Sequence, residues 1–497
     1  RIRSVMLNKR QDVMKLAGLG AAALAFPMIG KAAANPNIVI VLADDFGFGD
    51  AACFDPQFSK IPTPNIDRLA NEGMRFTTAH TSSAVCTPTR YCLLTGRYNW
   101  RSRLQGGVLK PFDEPLIASN RLTIAGMLKQ QGYHTACIGK WHLGWSWPEN
   151  GQEVVFDQPI AEGPTTRGFD YYFGTDVPNY PPYTFIENDR VTAPPTEKIP
   201  RAMAAAAGVN VNGAMAPGWK FENILPTLAG KAVEYIGQRA KIKQPFFLYF
   251  PLTTPHQPFT PSERFKGKSG ISAVGDLIME TDWALGEVMA ALEKNWLAGN
   301  TLVIFSSDNG HNGSTVAPFQ KAGHRVSGPF RGYKAGIWDG GHHVPFVVRW
   351  PGEVKPGSQC GQLISLVDVM ATCAEIAGAQ LPVNAAEDSF NFLPLLKGAD
   401  QPVREGIITH SSAGVFAIQR GEWKLIAGPV PGLYNMAEDE GETKNLAAQH
   451  PELVTELTVL LKKQIDDGRS TPGPKQTNDV PVELNKKNGG KQEEPAA

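Results

Sequence analysis

The chain predicts an α/β fold in which helices sandwich a large, mostly parallel central sheet. Three observations carry that expectation. Short apolar runs end in polar residues, helical patterns alternate with those runs, and 42% hydrophobic against 19% charged residues over 497 positions supports a large buried core. The length exceeds one typical domain and predicts a large unit with a smaller one attached.

The runs come first. Residues 38–42 (Ile-Val-Ile-Val-Leu) lead into Asp44 and Asp45, and residues 135–138 lead into Gly139, Lys140, Trp141 and His142. Residues 246–250 (Phe-Phe-Leu-Tyr-Phe) lead to Thr254, Pro255 and His256, and residues 302–305 (Leu-Val-Ile-Phe) to Asp308 and Asn309. Runs this short, rich in β-branched and aromatic residues, read as fully buried strands. Helical patterns at 65–71, 123–131, 224–240 and 274–294 alternate with them. In open α/β sheets ligands sit beyond the carboxyl ends of the strands, so these four polar strand ends are expected to meet at one site.

The large unit is expected to span residues 35–398. After about Gly398 the pattern changes: strand-like pieces at 406–409, 415–419 and 423–426 precede a helical pattern at 451–465, which predicts a small α+β domain with an antiparallel sheet over 399–469. Residues 470–497 are Pro-, Lys-, Asn- and Gly-rich and are expected to be extended or disordered. Residues 150–218 are rich in Pro, Gly and Asn, have weak periodicity and read as long loops over the active face. No internal repeat is present.

Residues 1–34 read as a signal peptide: basic residues (Arg1, Arg3, Lys9, Arg10, Lys15), an apolar run at 16–29, then Ala32, Ala33 and Ala34. The apolar run is short for a membrane anchor, so no stable membrane insertion is expected after cleavage, and the location is periplasmic or secreted. Cleavage after Ala34 leaves 42 basic and 47 acidic residues, a net charge of −5. No basic stripe or reading motif suggests nucleic acid. The six cysteines show neither a disulfide framework nor zinc-type spacing.

The deciding segment is Cys86-Thr87-Pro88-Thr89-Arg90, followed by Leu94-Thr95-Gly96-Arg97. It resembles the signature of the sulfatases, in which a maturation enzyme oxidises the cysteine to formylglycine; Thr89 stands where that family usually has Ser. Residues 37–45 look like the family's opening strand with Asp44 and Asp45 for the metal, and Asp308-Asn309-Gly310 looks like its second metal pair. Alone, Asp-Asp at a strand end reads as a turn and Asp-Asn-Gly as a hairpin; their pairing with the cysteine motif decides. Gly139-Lys140-Trp141-His142, Thr254-Pro255-His256 and the Lys334 segment resemble the remaining family motifs.

The resemblance implies an alkaline-phosphatase-like fold and a hydrolase of sulfate esters. Asp44, Asp45, Asp308, Asn309 and the side chain of residue 86 would hold the metal. These are hard oxygen donors that suit Ca²⁺, with Mg²⁺ the second choice. Of the two hydroxyls of a formylglycine hydrate, one would attack sulfur and the other later expel sulfate. Pro88 suits the first turn of a helix, whose N-terminus favours negative charge. Arg90 would steady the nucleophile, Lys140 and Lys334 would bind sulfate, His256 would protonate the leaving alcohol and His142 would drive sulfate release.

The implied partners are a sulfated saccharide and a formylglycine-generating enzyme. The segment at 97–109 and Gly340-Gly341-His342-His343 resemble bacterial arylsulfatase-A-type enzymes, many of them exo-acting on carbohydrate, including galactose or N-acetylgalactosamine 6-sulfate. Asp176, His311 and His324 are the loop-borne candidates for reading the sugar. Two other functions stay open at this stage: a phosphonate monoester or phosphodiester hydrolase of the same superfamily, and an inactive glycan-binding surface protein.

Overall fold

An all-apolar strand must bury both faces, and this requirement organises the molecule. The computed structural model describes residues 35–151 and 153–484; the expected signal peptide and the last thirteen residues of the expected tail lie outside them. Strand β1 (Asn37–Asp44) is buried throughout. Side chains alternate across a strand. Ile38, Ile40 and Leu42 therefore enter one core cluster and Val39, Val41 and Ala43 the other, so each face needs its own layer of helices.

Along the chain follow β2 (Met74–Phe76), β3 (His134–Lys140), β4 (Tyr171–Thr175), β5 (Ile186–Glu187) and β6 (Arg190–Val191). Then come β7 (Phe246–Pro255), β8 (Thr301–Ser307), β9 (Phe346–Arg349) and β10 (Ser358–Cys360). Across the sheet the order is β10-β2-β9-β8-β1-β7-β3-β4-β5-β6. The central strands β8, β1, β7, β3 and β4 run parallel, and antiparallel pairings flank them.

The helices divide between the faces. Apolar residues of α1 (Pro64–Glu72) join the Val39 side, and those of α2 (Cys86–Thr95) and α3 (Ile124–Gln130) the Ile38 side. Helices α4 (Ile224–Arg239) and α5 (Ala273–Lys294) return to the Val39 side, and α6 (Val369–Ala377) to the Ile38 side. Helices α3 and α5 start on side-chain caps, Thr123 accepting from the Gly126 N–H and Ser272 from the Gly275 N–H. Helix α2 ends at Gly96, whose φ of 62° suits a residue without Cβ.

One expectation is corrected. Residues 171–175, placed in a loop region by their surrounding Pro and Gly, form β4 and extend the parallel core beside β3. The ladder to β3, not the local composition, decides their conformation.

The C-terminal part is a four-stranded antiparallel sheet: β11 (Ile407–His410), β12 (Phe416–Arg420), β13 (Trp423–Ile426) and β14 (Gly432–Asn435), covered by α7 (Pro451–Asp466). Its inward residues Ile408, Ile418, Leu425 and Leu433 belong to the same apolar cluster as Ile38 and Leu42. Residues 470–484 have no regular secondary structure, yet Arg101 donates to Asn478 (2.9 Å) and Arg97 to Asp479 (3.0 Å).

Candidate active site

The site grows from the carboxyl ends of the parallel strands. Asp44 is the last residue of β1, and Asp45 follows it at a φ of 67°, a left-handed conformation that Asp tolerates better than most residues. The Asp308 N–H bonds the Ala43 carbonyl (3.1 Å), which sets the end of β8 beside that of β1. The His256 N–H bonds the Asp44 carbonyl (3.1 Å), and Lys140 closes β3. Cys86 is the first residue of α2, with extended Val85 as the cap.

These pieces bury three carboxylates against three cations. Lys140 Nζ lies 2.6 Å from Asp44 Oδ2, and Lys334 Nζ lies 2.5 Å from Asp45 Oδ1. Arg90 grips Asp308 Oδ2 from Nε (3.0 Å) and Nη2 (2.7 Å), and donates from Nη1 to the Lys140 carbonyl (3.1 Å). Arg90, Lys140, Asp44 and Asp308 are all fully buried. Removing one partner of such a pair strands a charge and costs roughly 3–5 kcal/mol. Despite burial, the cations hold the carboxyls of Asp44 and Asp45 below the usual range. Burial and the Asp44 charge push Asp308 up to about 6.

Three buried oxygens remain without a hydrogen-bond partner: Asp44 Oδ1, Asp45 Oδ2 and Asn309 Oδ1. The other end of the Asn309 amide donates to Asp45 Oδ1 (2.8 Å) and so fixes which atom it presents. Asp44, Asp45, Cys86 and His256 each offer a ligand atom within 4.8 Å of the others. Hard oxygens left bare in a buried acidic cluster fit a divalent cation. Burial pushes the Cys86 thiol up to about 11, so as a plain thiol it is a poor nucleophile.

Two histidines flank the cluster. His142 stands at a φ of 54°; its Nε2 donates to the Leu109 carbonyl (3.1 Å), which leaves Nδ1 as the bare nitrogen. Burial and the Lys140 charge keep its pKa well below the ordinary value. His256 donates from Nδ1 to the Gln257 carbonyl (2.7 Å), so Nε2 is its second nitrogen, 3.9 Å from Asp45 Oδ2. Burial, aided by the Lys334 and Lys140 charges, lowers its pKa to about 4.

The structure thus brings together Asp44, Asp45, Cys86, Arg90, Lys140, His142, His256, Asp308, Asn309 and Lys334. Asp176 is close by: half-buried after β4, it accepts the His142 N–H (3.2 Å), and burial raises its pKa to about 6. His311 and His324 differ from expectation. Both are buried and face Asp50 (2.6 and 2.9 Å), and their other ring nitrogens bond Thr315 and the Lys60 N–H. With every polar atom engaged, they brace the loop after β8 instead of facing a ligand. Three contributors were not singled out from sequence: Asp50, the Leu109 carbonyl and Tyr180, whose ring centre is 6.0 Å from that of His142. Only the spacing Gly47-x-x-Asp50, a small turn cap, hinted at the first.

Comparison with known proteins gives the family. Residues 36–379 match the sulfatase family model, and residues 333–471 match the C-terminal model of N-sulphoglucosamine sulphohydrolase. The chain belongs to the sulfatase family. It is a sulfuric ester hydrolase. An N-acetylgalactosamine-6-O-sulfatase of Bacteroides thetaiotaomicron is 35% identical over 87% of this chain and 94% of its own. Human arylsulfatase A is 32% identical over 89% of this chain and 90% of its own. A solved sulfatase structure from the glycosaminoglycan metabolism of B. thetaiotaomicron superposes with a TM-score of 0.79 at 34% identity, covering 86% of this chain and 99% of that one.

The bare oxygens of this sulfatase predict that a divalent cation stabilises it. Added to chelator-treated protein at a hundredfold its Kd, the ion should contribute about 2.7 kcal/mol and raise Tm accordingly. Asp308, raised to about 6, is charged above that pH and takes up a proton below it. Proton and metal then compete, so affinity measured by calorimetry should fall as pH drops through about 6. An affinity that is flat across that range would contradict the expectation, drawn from the family resemblance, that Asp308 is a ligand.

Proposed function

We propose that this sulfatase is an exo-acting carbohydrate sulfatase that removes the 6-sulfate of galactose or N-acetylgalactosamine. In this reading Cys86, oxidised to formylglycine, is the nucleophile, and Ca²⁺ occupies the acidic cluster. The observation that carries it is Cys86 at the start of a buried helix, within 4.8 Å of two carboxylates that keep bare oxygens. The saccharide assignment is supported by the relative that is named an N-acetylgalactosamine-6-O-sulfatase and is similar over nearly its whole length. The oxygen donor set supports Ca²⁺ over softer metals. A periplasmic or secreted location, reached through the signal peptide at 1–34, and a formylglycine-generating partner belong to the same proposal. Among the described residues no helix is long and apolar enough to cross a membrane.

The matured side chain and the metal would supply a hydroxyl of lowered pKa to attack sulfur and a second hydroxyl for releasing sulfate. The protein's own residues do the rest. Lys140 and Lys334, each anchored on one carboxylate, keep donors for the non-bridging sulfate oxygens, where charge builds in the transition state. Asp308, steadied by Arg90, can take the proton of the attacking hydroxyl. His256 presents Nε2 to the leaving oxygen. A bound sulfate ester offsets the two lysine charges that depress its pKa and so favours the protonated ring. His142, neutral and with Nδ1 bare, accepts the proton that frees sulfate. Asp176 stands beside His142, where a sugar hydroxyl would meet a carboxylate.

Substitutions separate these roles. Cys86→Ala and Cys86→Ser should both fold and both lose multiple turnover, since neither side chain can form a hydrate; sustained turnover by Cys86→Ser would refute the formylglycine mechanism. His256→Ala should lose about 10²- to 10⁴-fold in kcat, most for the most basic leaving groups of an aryl sulfate series. A loss independent of the leaving group would remove its role as general acid. Asp176→Ala should lower kcat/KM on a sulfated disaccharide while sparing small aryl sulfates. Equal losses on both would place Asp176 in the sulfate subsite instead.

A further inference from the structure

The segment that carries Lys334 is held from an unexpected side. Gly332 and Ala335, on either side of the lysine, both take left-handed φ values (81° and 76°). The catalytic core gives this loop two backbone bonds near the lysine, Lys334 N–H to the His311 carbonyl (3.0 Å) and Ala335 N–H to the Ala84 carbonyl (2.8 Å). Ser327 Oγ also donates to the Gly332 carbonyl (3.0 Å), and a further grip comes from the C-terminal sheet. Ser412, in the β11–β12 turn, donates its N–H to the Ala335 carbonyl (3.0 Å). Lys424 on β13 reaches in with its whole side chain and donates to the Ile337 carbonyl (3.2 Å) and to Asp339 Oδ1 (3.3 Å). Glu442, beyond β14, lies 2.7 Å from the Lys424 ammonium, accepts the Asp339 N–H (2.7 Å) and offers its own carbonyl to Arg331 (3.0 Å).

This cluster is built for precision. Lys424, Asp339 and Glu442 are buried, and His80 (3.2 Å) and His343 (2.9 Å) also bond Asp339. Glu442 holds a left-handed φ of 50°, a conformation such a residue keeps only where its surroundings over-determine it. None of these groups reaches the acidic cluster, so none touches the reacting atoms. They fix the two ends of a loop whose middle delivers one ammonium to Asp45. We propose that Lys424 and Glu442 are positioning residues for the sulfate subsite, acting through Lys334: the C-terminal sheet sets where that lysine stands. The proposal rests on the reading of Lys334 as a sulfate ligand.

The test is a double-mutant cycle on the matured enzyme, at a temperature where circular dichroism shows each variant folded. It reads kcat/KM and inhibition by inorganic sulfate. Lys424→Met should lower kcat/KM for every sulfate ester and weaken sulfate inhibition, each by about 10- to 100-fold, as loss of an outer support typically does. Lys424→Arg should recover most of both. Lys334→Ala should show the same pair of losses, and the double variant should be no worse than Lys334→Ala alone. Should Lys424→Met not fold, Glu442→Gln carries the same cycle. The clamp is overturned by normal sulfate inhibition in Lys424→Met or Glu442→Gln while Lys334→Ala is impaired, or by losses that multiply in the double variant. Normal sulfate inhibition in Lys334→Ala would instead overturn the reading of Lys334 itself.

Discussion

Three carboxylates buried side by side at the ends of two neighbouring strands cannot stand without compensation, and much of the active face follows from that constraint. Asp44, Asp45 and Asp308 draw in one cation each from three distant parts of the chain: Lys140 from β3, Arg90 from α2 and Lys334 from the loop before β9. Each uncompensated buried charge would cost several kcal/mol. The balance leaves some oxygens bare, and those are the atoms a hard cation needs. Charge neutrality and ligand supply are met by the same geometry.

The same constraint explains the attachment of the small C-terminal sheet. Its apolar face continues the cluster formed by Ile38, Ile40 and Leu42, so it is not a separable ornament. Its one buried lysine, Lys424, enters a second polar cluster behind the Lys334 loop. Acidic groups on one side of that loop attract the Lys334 ammonium, and acidic groups on the other are held by Lys424. The loop lies between two buried charge clusters, which restricts how far its backbone can shift.

What the sequence makes legible divides along physical lines. Runs such as 38–42 and 302–305 declare buried parallel strands because both faces of each must be apolar, and such a run followed by Asp-Asp or Asp-Asn marks a strand end with a task. Residues 171–175 carry no such mark: Gly174 and the flanking turns hide a strand whose conformation is set by its ladder to β3. His311 and His324 read as loop histidines free for a ligand, because nothing local announces Asp50, more than 250 positions away, as their shared partner. Lys424 and Glu442 are silent for the same reason. A charge on a short strand reads as solvated until tertiary packing buries it, and neither residue lies in a segment that carries the family resemblance.

In the proposed reading Cys86 acts only after oxidation, in a site whose charge balance is already set by other residues. Mass spectrometry of the peptide containing residue 86, on preparations matured to different extents, tests it most directly when read against turnover of one sulfate ester. Turnover is predicted to rise in proportion to the aldehyde fraction at residue 86 and to vanish where the thiol is intact. Full turnover from protein whose Cys86 is quantitatively a thiol would contradict the account.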